Sequence, residues 1–146
     1  MDVDTAVKLA VYRHFAERGT RPSPQDIAAA VSSDVPSVLD AFRRLVKQRV
    51  LALEADGRTI RLAPPFSGVE TQHVVTVGAI RYFANCAWDA LGIPAALHRE
   101  GVVRSRCEQS REPLRLAIGL DGPERCDWLF HSLVPASKWW SDIVYT

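Results

Sequence analysis

The sequence predicts an α+β protein, with an N-terminal three-helix, winged-helix-like unit followed by a small mixed or antiparallel β-sheet with packed helices. Three segments with helical spacing of apolar residues come first, and alternating segments that favour strands dominate the second half. Proline and glycine crowd the stretch "PPFSG", where periodicity is lost. We therefore expect a winged-helix-like helical domain at 1–63, a linker at 64–72 and an α/β core at 73–146.

Local signals mark the first two helices. In "DTAVKLAVYRHFAERG", Val7, Val11 and Phe15 recur at helical spacing, and Gly19 ends the helix. In "SPQDIAAAVS", Ser23 is suited to the N-cap, a proline follows at the first helical position, and an acidic residue comes three positions after the cap. Both segments are therefore expected to be helical.

The third helix and a hairpin complete this unit. The segment "DVPSVLDAFRRLVKQRVL" is expected to turn five apolar residues inward, namely Val38, Leu39, Phe42, Leu45 and Val46. The next segment, "VLALEADGRTIRLA", alternates apolar and polar residues around Asp56-Gly57, which is a hairpin signal. Three helices followed by a hairpin is the order of a winged helix-turn-helix.

The charge of this unit argues against DNA binding. Residues 1–63 contain ten Lys and Arg against eight Asp and Glu, whereas a phosphate-binding face is usually more one-sided. The candidates for phosphate contacts are Arg43, Arg44, Lys47, Arg58 and Arg61. Acidic residues Asp34 and Asp40 lie in the same region. We favour a packing or dimerisation role, with DNA binding as the alternative.

The second half is expected to contain both strands and helices. "HVVTVG" predicts a buried strand, residues 80–91 predict a helix that is interrupted near Gly92 to Pro94, and "VVRSRC" and "PLRLAIG" predict two strands. "WLFHSLV" predicts another strand. "PASKWWSDIV" predicts a final helix, with Ser137 as its cap.

Composition argues against several functional classes. The formal net charge is +1, so no strong overall field draws the chain to nucleic acid or to a membrane surface. No apolar run approaches the roughly 18–20 residues that span a bilayer, and the N-terminus lacks a secretory pattern. The three cysteines form neither a disulfide framework nor a CxxC zinc motif. We expect a cytoplasmic protein without membrane contact.

Cys86 and Asp89 stand three residues apart in the most apolar segment. On a helix, their Cβ atoms would lie roughly 5–6 Å apart on one face. A carboxylate raises the pKa of a neighbouring thiol, so the pair is poor as a general nucleophile. It suits a carboxylate that takes the thiol proton when a soft metal binds sulfur and passes it to a leaving group. The alternative is that Cys86 simply packs in the core.

Aromatic residues near this pair offer a second hint. Tyr82, Phe83 and Trp88 would form a dry pocket for an apolar organic group, or would equally be part of the core. Trp139 and Trp140 are packing residues of the last helix or further walls of the same pocket. The residues alone leave both interpretations open.

The stretch "CAWDALGIPAALHREGVVRSRC" resembles the organomercurial (alkylmercury) lyase family. The resemblance rests on a C-A-x-D helix start, an aliphatic P-A segment and a strand that leads to a second cysteine, Cys107. The stretch "VPASKWWSDIVYT" is also similar to the family's, and the family begins with a helical, winged-helix-like unit. The resemblance covers nearly the whole chain and is densest from His73 to Cys107.

This resemblance implies protonolysis of carbon–mercury bonds. It implies that Cys86 binds mercury and that Asp89, also at the metal, relays the proton that releases the hydrocarbon. Cys107 matches a cysteine that is buried on a strand and supports the site. The family uses no organic cofactor; mercury is substrate and product, and Hg(II) passes to cellular thiols or to a mercuric reductase.

The chain departs from the family at its end. The second catalytic cysteine is expected almost directly after "DIVYT", where this sequence stops at Thr146. The chain is then either a truncated lyase or a short homologue that binds a metal or a thiol without turnover. Cys126 would replace the missing thiol only if its loop folds over Cys86. A sheet edge left exposed would favour pairing between chains, so a homodimer is expected.

The alternative function is a non-catalytic protein. It would bind a metal or a thiol, or would regulate through DNA with the N-terminal winged helix. A lyase and a regulator are distinguished by release of hydrocarbon from an organomercurial and by salt-dependent DNA binding.

Overall fold

The computed structural model, which describes residues 2–145, shows an α+β architecture. Its elements are α1 (Val3–Arg18), α2 (Pro24–Ala30), α3 (Val35–Lys47), β1 (Ala52–Leu53), β2 (Ile60–Ala63), β3 (Phe66–Ser67), β4 (His73–Val77), β5 (Ile80–Ala84), α4 (Ala87–Leu97), β6 (Gly101–Arg106), β7 (Pro113–Gly119), β8 (Gly122–Pro123) and a 3₁₀ helix (Ala136–Ser141). Over residues 2–145 the strands form two antiparallel sheets, ordered β1-β2-β3 and β5-β4-β6-β7-β8. The predicted class is confirmed. The winged-helix assignment stays a prediction.

The first two helices begin and end at the predicted signals. Ser23 and Asp26 form a reciprocal capping box, because each side chain accepts a hydrogen bond from the other's backbone N–H, at 3.1 and 2.8 Å. Gly19 ends α1 with a left-handed φ of 72°. A Cβ at Gly19 would collide with the carbonyl oxygen of Arg81, so this glycine permits both the turn and a close approach to β5.

Helix α3 buries four of its five predicted inward residues. Val38, Leu39, Phe42 and Leu45 are buried, as are Val7, Val11 and Phe15 of α1. The expectation for Val46 is wrong, because its side chain is exposed. Val46 lies at the margin of the apolar stripe, one residue before the helix ends at Lys47.

Aromatic contacts join the helices to the five-stranded sheet. Phe66 stacks on Phe15, with ring centroids 5.4 Å apart, and contacts Tyr82 at 5.6 Å. The Tyr82 hydroxyl donates a hydrogen bond to the carbonyl oxygen of Ala16 at 2.6 Å. Residues of both halves thus belong to one hydrophobic core, and strand β3 lies inside the predicted linker at 64–72. The division into separate domains stays a prediction.

The predicted helix at 80–91 is wrong in its first half. Residues Ile80–Ala84 form β5, which pairs with β4 through a two-residue loop at Gly78-Ala79. Tyr82 and Ala84 are buried while Arg81 is exposed, so burial alternates as in a strand. A glycine with φ of 58° at the loop is the hairpin signal that helical periodicity concealed.

Helix α4 also differs from its prediction at the other end. It begins at Ala87 and continues through Gly92 and Pro94 to Leu97, so the predicted interruption near Gly92 is wrong. Proline removes one intrahelical hydrogen bond. Tertiary packing offsets that loss, because Ile93 and Pro94 are buried and a Cβ at Gly101 of β6 would lie 3.1 Å from Pro94.

The segment after β8 is more irregular than the sequence predicts. Strands β6 and β7 are confirmed, but "WLFHSLV" forms no strand among the described residues. A strand needs a partner for its backbone groups, and here Leu129 is 93% exposed. The final helix is a 3₁₀ helix in which Ser137 lies inside and Pro135 precedes the first turn, so the predicted Ser137 cap is wrong.

Candidate functional site

Cys86 lies at the junction between a strand and a helix. It follows β5 by two residues and is the N-cap of α4, with extended backbone angles of φ −144° and ψ 176°. The sequence placed it inside a helix, whereas the structure places it at a helix start. Its side chain is half-buried, and its thiol is free.

Asp89 occupies the third position of α4, on the same turn as Cys86. Its side chain is half-buried, and burial raises the pKa of this carboxyl to about 6, with the Cys86 side chain acting in the opposite direction. Burial, followed by the charge of Asp89, raises the pKa of the Cys86 thiol. Cys86 makes no side-chain cap hydrogen bond to the helix. The thiol and the carboxyl are nevertheless close enough for each to shift the pKa of the other.

These pKa shifts define what the pair can do. At neutral pH the thiol holds its proton and the carboxylate is largely ionised. A carboxyl with a pKa near 6 accepts a proton more readily than an ordinary aspartate, whose pKa is near 3.8. The pair can therefore move a proton from sulfur to oxygen once a ligand takes the sulfur.

The C-terminal segment contacts the residues on both sides of Cys86. The side-chain amide of Asn85 donates a hydrogen bond to the carbonyl oxygen of Ile143 at 2.8 Å. The rings of Trp88 and Phe130 lie 5.7 Å apart, tilted at 48°. Sequence reasoning missed the contact of Asn85, because no local pattern indicates a partner 58 residues away.

The predicted aromatic pocket does not form as expected. Tyr82 is 1% exposed and lies in the core, so it is not part of an open pocket. Phe83 points to the opposite face of the sheet, where the guanidinium of Arg81 lies 5.4 Å from its ring centre. Adjacent residues of a strand cannot line one cavity on one face.

The remaining tryptophans lie at the surface or in the C-terminal segment. Trp88 is 54% exposed. Trp139 donates hydrogen bonds from its indole nitrogen to the carbonyl oxygen of Val134 at 2.8 Å and to the hydroxyl of Ser132 at 3.1 Å. Trp140 is half-exposed. A dry pocket walled by these side chains is therefore not what the structure presents.

Cys107 is neither buried nor on a strand, which corrects its expected placement. It follows the last residue of β6, begins a turn, and is half-exposed. The backbone N–H of Ser110 lies 3.5 Å from its sulfur, and hydrogen bonds from Ser110 and then Gln109 lower the pKa of the thiol. Turn geometry at the end of a strand exposes this side chain.

Both Cys86 and Cys107 nevertheless leave the sheet at the same end. Strands β5 and β6 each run antiparallel to β4, which lies between them. The C-terminal residues of both strands therefore lie at the same end of the sheet. Two strand spacings separate them by about 10 Å laterally. Cys126, in contrast, is exposed in the segment after β8.

The donors that could hold a metal ion are few. Within residues 2–145, no group of three or more His, Cys, Asp and Glu side chains is arranged to bind one. His73 instead makes a 2.7 Å hydrogen bond to the hydroxyl of Ser105. At Cys86 and Asp89 the chain offers one thiol and one carboxyl.

The basic residues proposed for phosphate contacts are mostly engaged with carboxylates. Arg44 forms an ion pair with Asp4, with a nitrogen–oxygen distance of 2.7 Å, and Arg43 forms one with Asp40. A guanidinium nitrogen of Arg61 lies 3.5 Å from a carboxylate oxygen of Glu54. These ion pairs reduce the positive charge that the helical unit presents to a phosphate backbone. They disfavour the DNA-binding alternative.

Comparison with known proteins adds the family. The family model described as alkylmercury lyase (MerB) matches residues 66–146. The chain belongs to the alkylmercury lyase family. The match includes β4, β5 and α4 with Cys86 and Asp89, and it also includes Cys107.

The fold of this family member is shared with a solved relative. The crystal structure of the mercury-bound form of MerB2 is similar with a TM-score of 0.64 and 19% sequence identity, over 82% of this chain and 58% of that chain. The chain thus spans about three-fifths of that relative's length. No curated protein matches the sequence. No helix within residues 2–145 is long and apolar enough to cross a membrane.

Proposed function

We propose that this alkylmercury lyase family member captures an organomercurial at Cys86 and breaks its carbon–mercury bond with a proton from Asp89. One observation carries the proposal. A half-buried thiol and a half-buried carboxyl share the first turn of α4. The charge of Asp89 raises the pKa of the Cys86 thiol, and a hydrogen bond from Cys86 lowers the pKa of the Asp89 carboxyl.

The first step is capture. The Cys86 sulfur forms a bond to mercury and displaces the anion that the organomercurial carries, while the thiol proton passes to the Asp89 carboxylate. The products are a sulfur–mercury–carbon adduct and a neutral carboxylic acid. Burial favours this step, because it raises the pKa of Asp89 to about 6 and so makes the carboxylate a better proton acceptor.

The second step is protonolysis. The Asp89 acid gives its proton to the carbon bound to mercury, the carbon–mercury bond breaks, and its electron pair forms the new C–H bond of the released hydrocarbon. Mercury stays on the Cys86 sulfur as Hg(II), and Asp89 is again a carboxylate. Thiolate sulfur is the protein ligand that soft metals prefer.

Release of Hg(II) needs an external acceptor. We expect cellular thiols or a mercuric reductase to take the ion, since the site offers only one thiol of its own on α4. Such an exchange requires reduced thiols, so we expect the reaction to occur in the cytoplasm. Pairing of two chains into a homodimer also stays part of the proposal.

The test uses phenylmercury with excess small thiol and measures benzene by gas chromatography. We expect wild-type protein to release benzene, Cys86→Ser to release none, and Asp89→Asn to bind mercury at Cys86, identified by peptide mass spectrometry, without release. Cys126→Ser is the control, because loss of this exposed thiol should leave the release of benzene unchanged. Unimpaired release by Cys86→Ser would refute the mechanism.

Binding of mercury at Cys86 of the wild-type protein without release of benzene would instead support the non-catalytic, metal-binding alternative. A salt-dependent shift of a duplex DNA fragment, lost on Arg43→Gln and Lys47→Gln, would support the regulatory one. The ion pairs of Arg43 and Arg44 lead us to expect no such shift.

A further inference from the structure

Tyr12 of α1 contacts the segment that packs against α4, the helix of Asp89, although the two residues are 77 positions apart in the sequence. Its side chain extends from α1, is half-buried, and contacts the segment that leads into β3. Burial, followed by the negative charge of Asp89, raises the pKa of the Tyr12 phenol to about 12. The helical unit therefore meets α4 through Tyr12 and the segment that Tyr12 contacts.

The Tyr12 hydroxyl fixes the chain at two carbonyl groups. It donates to the carbonyl oxygen of Pro64 at 3.1 Å and lies 3.3 Å from that of Val50. Its ring also packs against Phe66, with centroids 6.4 Å apart. Tyr12 thus holds the Pro64–Phe66 segment from one side.

Helix α4 meets this segment from the other side. A Cβ built on Gly92 would lie 3.3 Å from the Cβ of Pro65, so the helix backbone is in close contact with that ring. Gly92 comes three residues after Asp89, and residues with this spacing share one face of a helix. The face of α4 that carries Asp89 is therefore the face that Pro65 covers.

We propose that Tyr12 is a positioning residue: its hydroxyl anchors Pro64 and Pro65 against α4, and this contact keeps the Asp89 carboxyl dry and turned toward Cys86. Tyr12 stays neutral, donates its proton to backbone carbonyls, and takes no part in bond making. The inference rests on the proposed function, because proton transfer from Asp89 to carbon is the step that it serves.

Tyr12→Phe tests this role, with Tyr82→Phe as a matched control. Both hydroxyls donate to a backbone carbonyl in the same core, but Tyr82 donates to Ala16 of α1, whereas Tyr12 donates to Pro64, the neighbour of the proline that contacts α4. We expect Tyr12→Phe to capture phenylmercury with unchanged stoichiometry and to release benzene about tenfold more slowly than Tyr82→Phe, because small displacements of a proton donor slow its reaction strongly. Equal release by the two variants would overturn the proposal.

A second readout does not depend on mercury. Burial also raises the pKa of the Tyr82 phenol, so the ultraviolet titration compares Tyr82→Phe with the double variant Tyr82→Phe/Tyr12→Phe. Tyr82→Phe should keep a phenol with a midpoint of about 12 that the double variant lacks. Asp89→Asn should lower the pKa of the Tyr12 phenol, because the negative charge that repels the phenolate is gone. An unchanged midpoint refutes the placement of Tyr12 beside Asp89 even if the protein is an active lyase. If wild-type protein releases no benzene, the proposed function fails, and this titration alone decides the placement.

Discussion

Asn85 and Ile143 are joined by a hydrogen bond of 2.8 Å, from the side-chain amide of one to the carbonyl oxygen of the other. The bond ties the C-terminal segment to the residue that directly precedes Cys86. Ile143 belongs to the "DIVYT" stretch at the end of the described residues. The contact therefore brings that stretch to the site.

Removing this bond should loosen the C-terminal segment. We expect Asn85→Ala to increase hydrogen exchange and proteolytic cleavage over residues 124–145, because few buried contacts hold that segment and Leu129 and Leu133 are largely exposed. Gln72→Ala is the control, since Gln72 bonds to Arg106 and Glu108 at the surface. Identical exchange in Asn85→Ala and wild-type protein would show that Phe130 or other contacts hold the segment.

Asp89 should lower the stability of the folded protein at neutral pH. Burial raises its folded-state pKa to about 6 from an ordinary 3.8, so the ionised form is disfavoured in the native state. We expect Asp89→Asn to raise the free energy of unfolding by up to about 3 kcal/mol at pH 7, measured by urea denaturation.

The pH dependence of this gain has a definite sign. As the pH falls through about 6 toward 4, the native wild-type protein binds a proton that the unfolded chain does not yet bind. The wild-type protein therefore gains stability relative to Asp89→Asn, and the gap between them closes below the ordinary pKa of aspartate. A gap that stays constant from pH 7 to pH 4 would mean that Asp89 is solvated.

Cys107 should be alkylated faster than Cys86. Its thiol is half-exposed and its pKa is lowered by Ser110, whereas burial and Asp89 raise the pKa of the Cys86 thiol. We expect iodoacetamide at neutral pH to modify Cys107 at least about threefold faster, measured by peptide mass spectrometry. Ser110→Ala should slow Cys107 alone; faster labelling of Cys86 would contradict the burial of the pair.

Phe66 should be essential to the stability of both halves of the chain. It is buried between Phe15 of α1 and Tyr82 of β5. We expect Phe66→Ala to cost about 3–5 kcal/mol, whereas Phe130→Ala, at a side chain that is 45% exposed, should cost far less.

Two probes can follow the two halves separately. All four tryptophans lie between residues 88 and 140, so fluorescence reports the second half, while far-ultraviolet circular dichroism reports chiefly α1, α2 and α3. We expect both unfolding transitions to coincide and to shift together in Phe66→Ala. Separated transitions would instead support the predicted domains at 1–63 and 73–146 as independent units.

The sequence by itself determined the features that near neighbours control. Capping residues such as Ser23, the stop at Gly19 and the turn at Asp56-Gly57 act through hydrogen bonds and backbone angles within a few positions. The spacing of Cys86 and Asp89 likewise survives a wrong helix boundary, because an N-cap and the third helical residue also meet on one turn.

Only the tertiary structure decided the features that depend on distant partners. Residues 80–84 became a strand because β4 supplies hydrogen bonds, and that strand turned Phe83 away from Tyr82. The placement of Cys107 on an open turn, the approach of Ile143 to Asn85 and the dehydration of Asp89 likewise depend on contacts across the chain. Pairing and burial need groups remote in sequence, and no local pattern of residues encodes which groups will meet.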